Sequence, residues 1–477
     1  MAGAAFLGSR EGHDTPSTVL LDLFGSVGPS RSATTATSKT SAGLPIAVTF
    51  CALRPPALSY FSVDCAACPE PKSLPLAPQV IAADADLVLL RVPVDRSARF
   101  SVRFCDYFVY TAHPRRPRLD LLPPSAPHRF EFQDREMAIL SCGDGGGGYA
   151  VAALQTLGKF TFTLHLYRSG PDGEQGAWTS KVVEVEEPLR DKVCPTTPPS
   201  SPGLFHHSTN TVITLGGAKG TVGWVDLWRG IVLCDVLEES PKLRDMPLPL
   251  PSKGNRNAYR DGCPYYSRSV VVNQSKDTIK YVEMEIYQAI PLTPEDKAYH
   301  EWLSQQECPM YFLVPSPWKA TTWSMPVPVT SWEGWQRRRS ARSAEIDIPP
   351  DVATRYKKLR TDKEGGTLSS LRRLRMSYRT VSVADDDDDV VYILSREGTD
   401  MSTVLTVDMR MKTLRGVAKL PDHHYGFTPC FLATGISKHL RTTGSTGEES
   451  LEQTEAQDAN VCHQESARVC LIEGVYC

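Results

Sequence analysis

The chain has 477 residues, room for roughly two to four ordinary domains or one large all-β domain. Hydrophobic residues make up 41% and charged residues 22%, a balance that supports a buried core and excludes wholesale disorder. Lys and Arg number 52 against 55 Asp and Glu, so a uniformly basic nucleic-acid coat is excluded and only a local basic patch is open.

Residues 1–43 read as an N-terminal segment, partly loop, ending in a Ser/Thr/Ala-rich run over 30–43. Strand-like runs follow at Ile46 to Leu53, Leu58 to Val63 and Asp86 to Val94. Ala98 to Thr111 alternates loosely and is expected to be a bent or paired strand; Pro114 to Pro127 reads as a connection. Residues 137–142 and 149–154 are short apolar runs around a glycine loop. The cleanest period-2 pattern is Phe160 to Leu166, with Phe160, Phe162, Leu164 and Leu166 on one face and Thr161, Thr163 and His165 on the other. The turn residues 169–173 and a return strand from Trp178 to Glu186 make this a hairpin.

Residues 44–193 thus form a β-rich N-terminal part, and 194–210 a Pro/Ser/Thr linker. A second β-rich part, 211–336, contains the hairpin motif 220–251. Within it, Thr221 to Val236 reads strand, tight turn, strand, with Gly230 closing the turn and free to take a positive φ. Thr293-Pro-Glu-Asp296 starts a helix over about 294–306, and a second helix is expected within 351–376. Residues 337–389 read as a connecting region, first basic and then acidic, with Asp385 to Asp389 a solvated loop. A closing β-rich part spans 390–440, with strands at 390–394, 404–408 and 412–417, and 441–477 is an acidic tail expected to be disordered. Asp226 and Asp408 each end a strand before a short turn, and their separation suits four units of about 45 residues. The fold class that follows is mainly β: many short antiparallel strands in a propeller-like assembly, with one or two helices. The 37 prolines agree, since proline ends helices and interrupts central strands.

The 13 cysteines are scattered and odd in number, which suits a reducing interior better than a disulfide scaffold. Charged residues follow Met1 to Gly8 at once, so no secretory leader is expected, and no apolar stretch reaches the ~20 residues that span a bilayer. The expectation is an intracellular protein of cytoplasm or nucleus with no membrane contact.

Several motifs fall short of a chemistry. Gly143 to Gly148 satisfies G-x-G-x-x-G, yet the strand from Phe160 leaves no room for the crossover helix that a dinucleotide site needs. Gly216 to Thr221 fails the P-loop order. Cys65-Ala-Ala-Cys68 is a lone CxxC followed by Pro69, Pro71 and Pro75, which block an activating helix, and structural zinc needs two further ligands. The adjacent pairs His206-His207 and His423-His424 point apart on a strand and do not readily share a metal. No catalytic, cofactor-binding or metal-binding residue is assigned. Residues 337–379 hold 13 Lys and Arg against 5 Asp and Glu, with clusters at 337–339, 357–358 and 372–373; they read as a solvated charged face, an import address or a phosphate contact. Two tyrosines, Tyr356 and Tyr378, give little aromatic interleaving for base stacking.

The stretch GTVGWVDLWRGIVLCDVL over 220–237, followed by Met246 to Pro251, resembles the hallmark of the plant family named "domain of unknown function 1618", expanded in grasses. Ser32 to Ser38 before the Ile46 strand, Arg54 to Tyr60, Ala83 to Leu90, Trp318 to Met325, Ser331 to Trp335 and Asp408 to Val417 are similar as well, so the resemblance covers about 15–440. It implies a β-rich, propeller-like fold and no agreed activity, cofactor or catalytic residue. From the residues themselves, Trp224, Asp226, Trp228, Arg229 and Gly230 are structural: Trp224 shares a core face with Val222, Trp228 packs over the turn, and Asp226 and Arg229 pair across it. The favoured function is a non-catalytic module with an unknown protein partner, presenting loops from a rigid scaffold. Nucleic-acid contact through 337–379, and an enzyme whose site the sequence does not display, are the competing readings; no small-molecule substrate is identified.

Overall fold

The computed structural model describes residues 16–66, 77–125, 132–142, 148–170, 176–193, 207–255, 264–286, 317–355, 371, 375–385, 389–397, 401–420 and 430–440. Six sheets succeed one another around a ring, a six-bladed β-propeller. In blades 2 to 6 the strands run a, b, c, d from the axis outwards. Blade 2 holds Gln79–Asp84, Leu87–Pro93, Cys105–Thr111 and Arg118–Leu122. Blade 3 holds Met137–Cys142, Gly148–Thr156, Thr161–Arg168 and Ala177–Glu184. Blade 4 holds Thr211–Gly216, Thr221–Asp226, Gly230–Asp235 and Leu243–Pro247. Blade 5 holds Arg268–Val272, Thr278–Ile286, Trp318–Pro326 and Gln336–Arg342. Blade 6 holds Arg375–Val381, Val390–Glu397, Met401–Asp408 and Thr413–Lys419.

Blade 1 closes the ring from both ends of the described chain. Phe431–Thr434 pairs antiparallel with Val19–Asp22, which runs parallel to Leu58–Cys65, as does the short Ser26–Val27; Pro45–Cys51 and Thr35–Lys39 complete the sheet. At the seam the Val80 N–H donates to the Leu23 carbonyl, and the Leu23 N–H to that of Cys430. The alternating strand directions put the a–b and c–d turns on one face of the ring. The b–c turns and the blade-to-blade connections lie on the other.

The core is six apolar clusters, one between each pair of neighbouring blades. A blade is therefore covered on both sides, and its middle strands read as continuous apolar runs rather than alternation, as in Leu87–Pro93, where every residue is buried. The c strand of blade 3 keeps its alternation because its partner Ala177–Glu184 is an exposed outer strand. His165, expected on the polar face, is instead buried: its ring packs on Phe132 and its Nδ1 meets the Ser180 hydroxyl at 2.9 Å.

Other expectations change in the same light. Cys142 and Gly148, on either side of the glycine run, pair across antiparallel strands of blade 3, whereas a dinucleotide unit needs parallel ones; residues 143–147 lie outside the described residues. The 30–43 loop contains the strand Thr35–Lys39, and the proline-rich 114–127 connection contains Arg118–Leu122, whose Leu119 and Leu122 are buried. Only Cys105–Thr111 of the 98–111 run is strand; two 3-10 turns precede it. The 337–389 connection carries the outer strand of blade 5 and the inner strand of blade 6. The 351–376 helix reduces, among the described residues, to Pro350–Arg355, and Arg375–Val381 is strand. The spacing from one inner strand to the next exceeds 45 residues, with starts at Gln79, Met137, Thr211, Arg268 and Arg375; Asp226 ends the b strand of blade 4 and Asp408 the c strand of blade 6, so one blade rather than a whole series separates their sheets. The 294–306 helix, Cys68, His206, the 423–424 histidines, and residues 441–477 lie outside the described residues. No described helix is long and apolar enough to cross a membrane.

Candidate functional site

Three constructions stand out: the Trp224–Gly230 motif, the buried ion cluster beside it, and the turn that closes the axis. The motif bridges three blades. Trp224 is fully buried between blades 3 and 4, and its indole N–H donates to the Glu136 carbonyl at 2.7 Å, at the entry to blade 3. After the b strand, the Asp226 carboxylate accepts the backbone N–H groups of Trp228 and Arg229 at 3.0 and 3.2 Å and that of Ser208 at 3.2 Å. The turn is then caught from the other side. Arg268, the first residue of blade 5, donates to the carbonyls of Leu227, Trp228 and Pro249 at 3.1, 3.3 and 3.2 Å. Its guanidinium lies over the rings of Trp228 and Tyr281 and pairs with Glu283 at 3.4 Å. Arg268 is wholly buried, so its charge is held by carbonyls, rings and one carboxylate instead of water.

Two details differ from the sequence reading. The Arg229 guanidinium reaches Asp191, in the short helix Arg190–Val193, while its backbone N–H is what meets Asp226. Gly230 is not among the residues with positive φ; a Cβ there would stand 2.6 Å from the Met246 carbonyl oxygen, so glycine lets the c and d strands approach.

Beside the motif, Arg190 donates to Asp245 through Nε at 2.5 Å and through its backbone N–H at 2.8 Å. Its Nη1 meets His207 Nδ1 at 2.7 Å. His207 accepts there, and burial, with the charges of Arg190 and Arg229, holds its pKa well below the ordinary histidine value. Burial raises the pKa of Asp226, against the opposing pull of Arg190, the Ser208 N–H and Arg229. The cluster encloses space for about one water, a volume of about 10 Å³. It joins the connection between blades 3 and 4 to blade 4 and admits no substrate.

On the opposite face the five-residue turn Asn273 to Asp277, between the a and b strands of blade 5, reaches blades 2, 4 and 6 and the segment beside blade 1. Lys276 crosses the axis to Asp84 of blade 2 at 2.6 Å, and the Ser141 N–H of blade 3 donates to the same carboxylate at 3.2 Å. A Cβ on Gly216 of blade 4 would stand 3.1 Å from the Lys276 Nζ. Gln274 donates from its backbone to Val383 in the a–b connection of blade 6 at 2.8 Å, and from its side chain to the Ser17 carbonyl beside blade 1 at 3.0 Å. Asp385 accepts from Asn273 and from the Ser275 N–H, so this acid of the 385–389 run braces the turn. The turn stoppers the axis on this face. Burial raises the pKa of Asp84, and Lys276 with the Ser141 N–H opposes it.

Beside the stopper runs an open groove of about 460 Å³ between blades 4 and 5. One wall is the glycine turn Gly216 to Gly220, where Gly216, Gly217 and Gly220 all have positive φ. The other is Val327 to Val329, in the c–d turn of blade 5. Sequence reasoning missed Arg268, Asp84, Lys276 and this groove. Their partners lie tens to hundreds of residues away, and the one local signal was a charged residue at the head of the apolar run Ser269 to Val272. Among the described residues of the basic region, Arg337, Arg338 and Arg339 are exposed on the outer strand of blade 5, whereas Arg379 is wholly buried in blade 6; the clusters at 357–358 and 372–373 and Tyr356 lie outside the described residues. Among the described residues, no group of three His, Cys, Asp or Glu is placed to share a metal.

No curated protein matches the chain. Among solved structures, the acylaminoacyl peptidase of Pyrococcus horikoshii is 9% identical at a TM-score of 0.23, over 60% of this chain and 32% of that one. The WD40 domain of SCAP from fission yeast is 10% identical at a TM-score of 0.30, over 81% and 76%. A Synechocystis apocarotenoid oxygenase is 8% identical at 0.30, over 86% and 79%. The chain thus spans about a third of the peptidase, and likenesses this faint carry no argument about activity. Residues 224–392, which begin at the motif tryptophan and run into blade 6, match the family described as "Protein of unknown function (DUF1618)".

Proposed function

We propose that the chain is a non-catalytic, intracellular protein-interaction module whose binding surface is the groove between blades 4 and 5. The observation that carries this is the stoppered axis. The Asn273 to Asp277 turn commits its polar groups to the surrounding blades, and beside it, among the described residues, lies an open groove built from turns on a rigid ring. An open cleft flanked by exposed turn backbone suits an extended protein segment. The intracellular placement is supported by the free thiols of six described cysteines. The test is affinity purification of the tagged chain from its native cells with nuclease added, beside an Ala218→Trp variant that fills the groove. A protein partner held by the native chain and lost by the variant is expected. A partner held equally by both, recovery that depends on nucleic acid, or turnover of a metabolite by the purified chain would overturn the reading.

A further inference from the structure

We infer that the groove takes an acidic, extended protein segment and reads its carboxylates. This deepens the interaction-module reading and rests on it. The described lining carries three cations, Lys219, Arg244 and Lys276, and no carboxylate. They come from three separate elements: the glycine turn and the d strand of blade 4, and the axial turn of blade 5. Lys276 is committed to the buried Asp84 and is not available to a ligand.

Lys219 and Arg244 are differently placed. Lys219 pairs with Glu238 at 3.2 Å, with side chains 63% and 44% exposed. Arg244 pairs with Asp235 at 3.5 Å, with side chains 47% and 25% exposed. Solvent-exposed pairs of this kind are worth about 0–1 kcal/mol, so a ligand carboxylate can take either acid's place at little cost.

The turn adds donors. Gly217, Ala218 and Lys219 are exposed, and their backbone N–H groups have no acceptor among the described residues. Successive N–H groups in a turn of this kind favour anions. The opposite wall is apolar, Val327 to Val329, over the buried Leu215 and Leu233. A free inorganic anion would use the cations and leave that wall wet; a peptide alternating acids with aliphatic residues uses both.

The test is fluorescence anisotropy on the full chain with two labelled probes, a peptide alternating Glu and Val and its counterpart alternating Gln and Val. Inorganic phosphate serves as competitor. The variant is Lys219→Glu with Arg244→Glu, two exposed positions, its folding checked by thermal melting. The native chain should prefer the Glu peptide about tenfold, the preference should shrink as salt rises, and the variant should lose it. Equal binding of both peptides, undiminished binding by the variant, or phosphate binding as tightly as the peptide would overturn the inference. If the probe fails while Ala218→Trp still loses a captured partner, the acidic segment is refuted and the module stands. If Ala218→Trp keeps its partner, the groove itself is not the surface.

Discussion

The turn after Asp226 and the turn after Asp408 use the same carboxylate device. In each, one oxygen of a strand-ending aspartate accepts the backbone N–H groups two and three residues on: Trp228 and Arg229 in the first, Arg410 and Met411 in the second, both at 2.8 Å. The surroundings then diverge. The second oxygen of Asp408 is answered from its own hairpin by Arg415, at 2.6 Å, and Met411 at the tip is 69% exposed. The Asp226 turn is roofed by Arg268 from the next blade and backed by Trp224 against the previous one. One carboxylate has its pKa raised by burial; for the other, burial is outweighed by the Met411 N–H and Arg415, and the pKa is lowered. Local sequence dictates the turn, and the turn's place in the ring decides whether it rivets blades together or ends a hairpin.

The comparison is broken most severely at its buried end. Trp224→Ala should cost about 3–5 kcal/mol, since it deletes a buried aromatic between two blades; denaturant unfolding measures it, and an unchanged midpoint refutes the rivet. Arg268→Met should cost about 3 kcal/mol by leaving Glu283 without its cation. The loss stays at the lower end of that range because Glu283 keeps bonds from Ser252 and Asn255. Restoring neutrality with Glu283→Gln in the same chain should recover part of it.

Much of this was legible in the residues. The hairpin turn between 221 and 236 and the alternation from Phe160 followed from spacing alone, because strand period and turn chemistry are local. The matched behaviour of Asp226 and Asp408 was visible too. What escaped is long-range. The strands of blade 5 went unnamed within the β-rich part 211–336: they alternate poorly, with Arg268, Lys280 and Glu283 buried through partners supplied by other segments. The blade length was misjudged because long connections separate the strands of blade 5. Gly230 was assigned the commoner reason for a turn glycine, while the strand beside it, through the Met246 carbonyl, supplies the actual one.

Acid titration sharpens the contrast further. A carboxylate whose pKa is lowered by folding stabilises above its unfolded value and loses that contribution as pH falls through the folded value; one raised by folding does the reverse. Relative to Asp408→Asn, the native chain should therefore gain stability as pH rises towards 3.8, and relative to Asp226→Asn it should lose stability as pH rises above 3.8. Slopes of the same sign would remove the distinction between the two sites. At the small end, Met411→Ser should change stability by less than about 0.5 kcal/mol, since the side chain meets solvent; a larger loss of melting temperature would show that the second turn is also packed.

The most direct measurement is backbone hydrogen exchange on the native chain and on Arg268→Met. Protection should fall together in the 227–230 turn, in the b strand Thr278–Ile286 and around Pro249, the three places Arg268 joins, while 408–415 exchanges as before. Loss confined to Arg268 and its chain neighbours, or spread evenly over all six blades, would contradict the claim that this residue clasps blade 4 to blade 5.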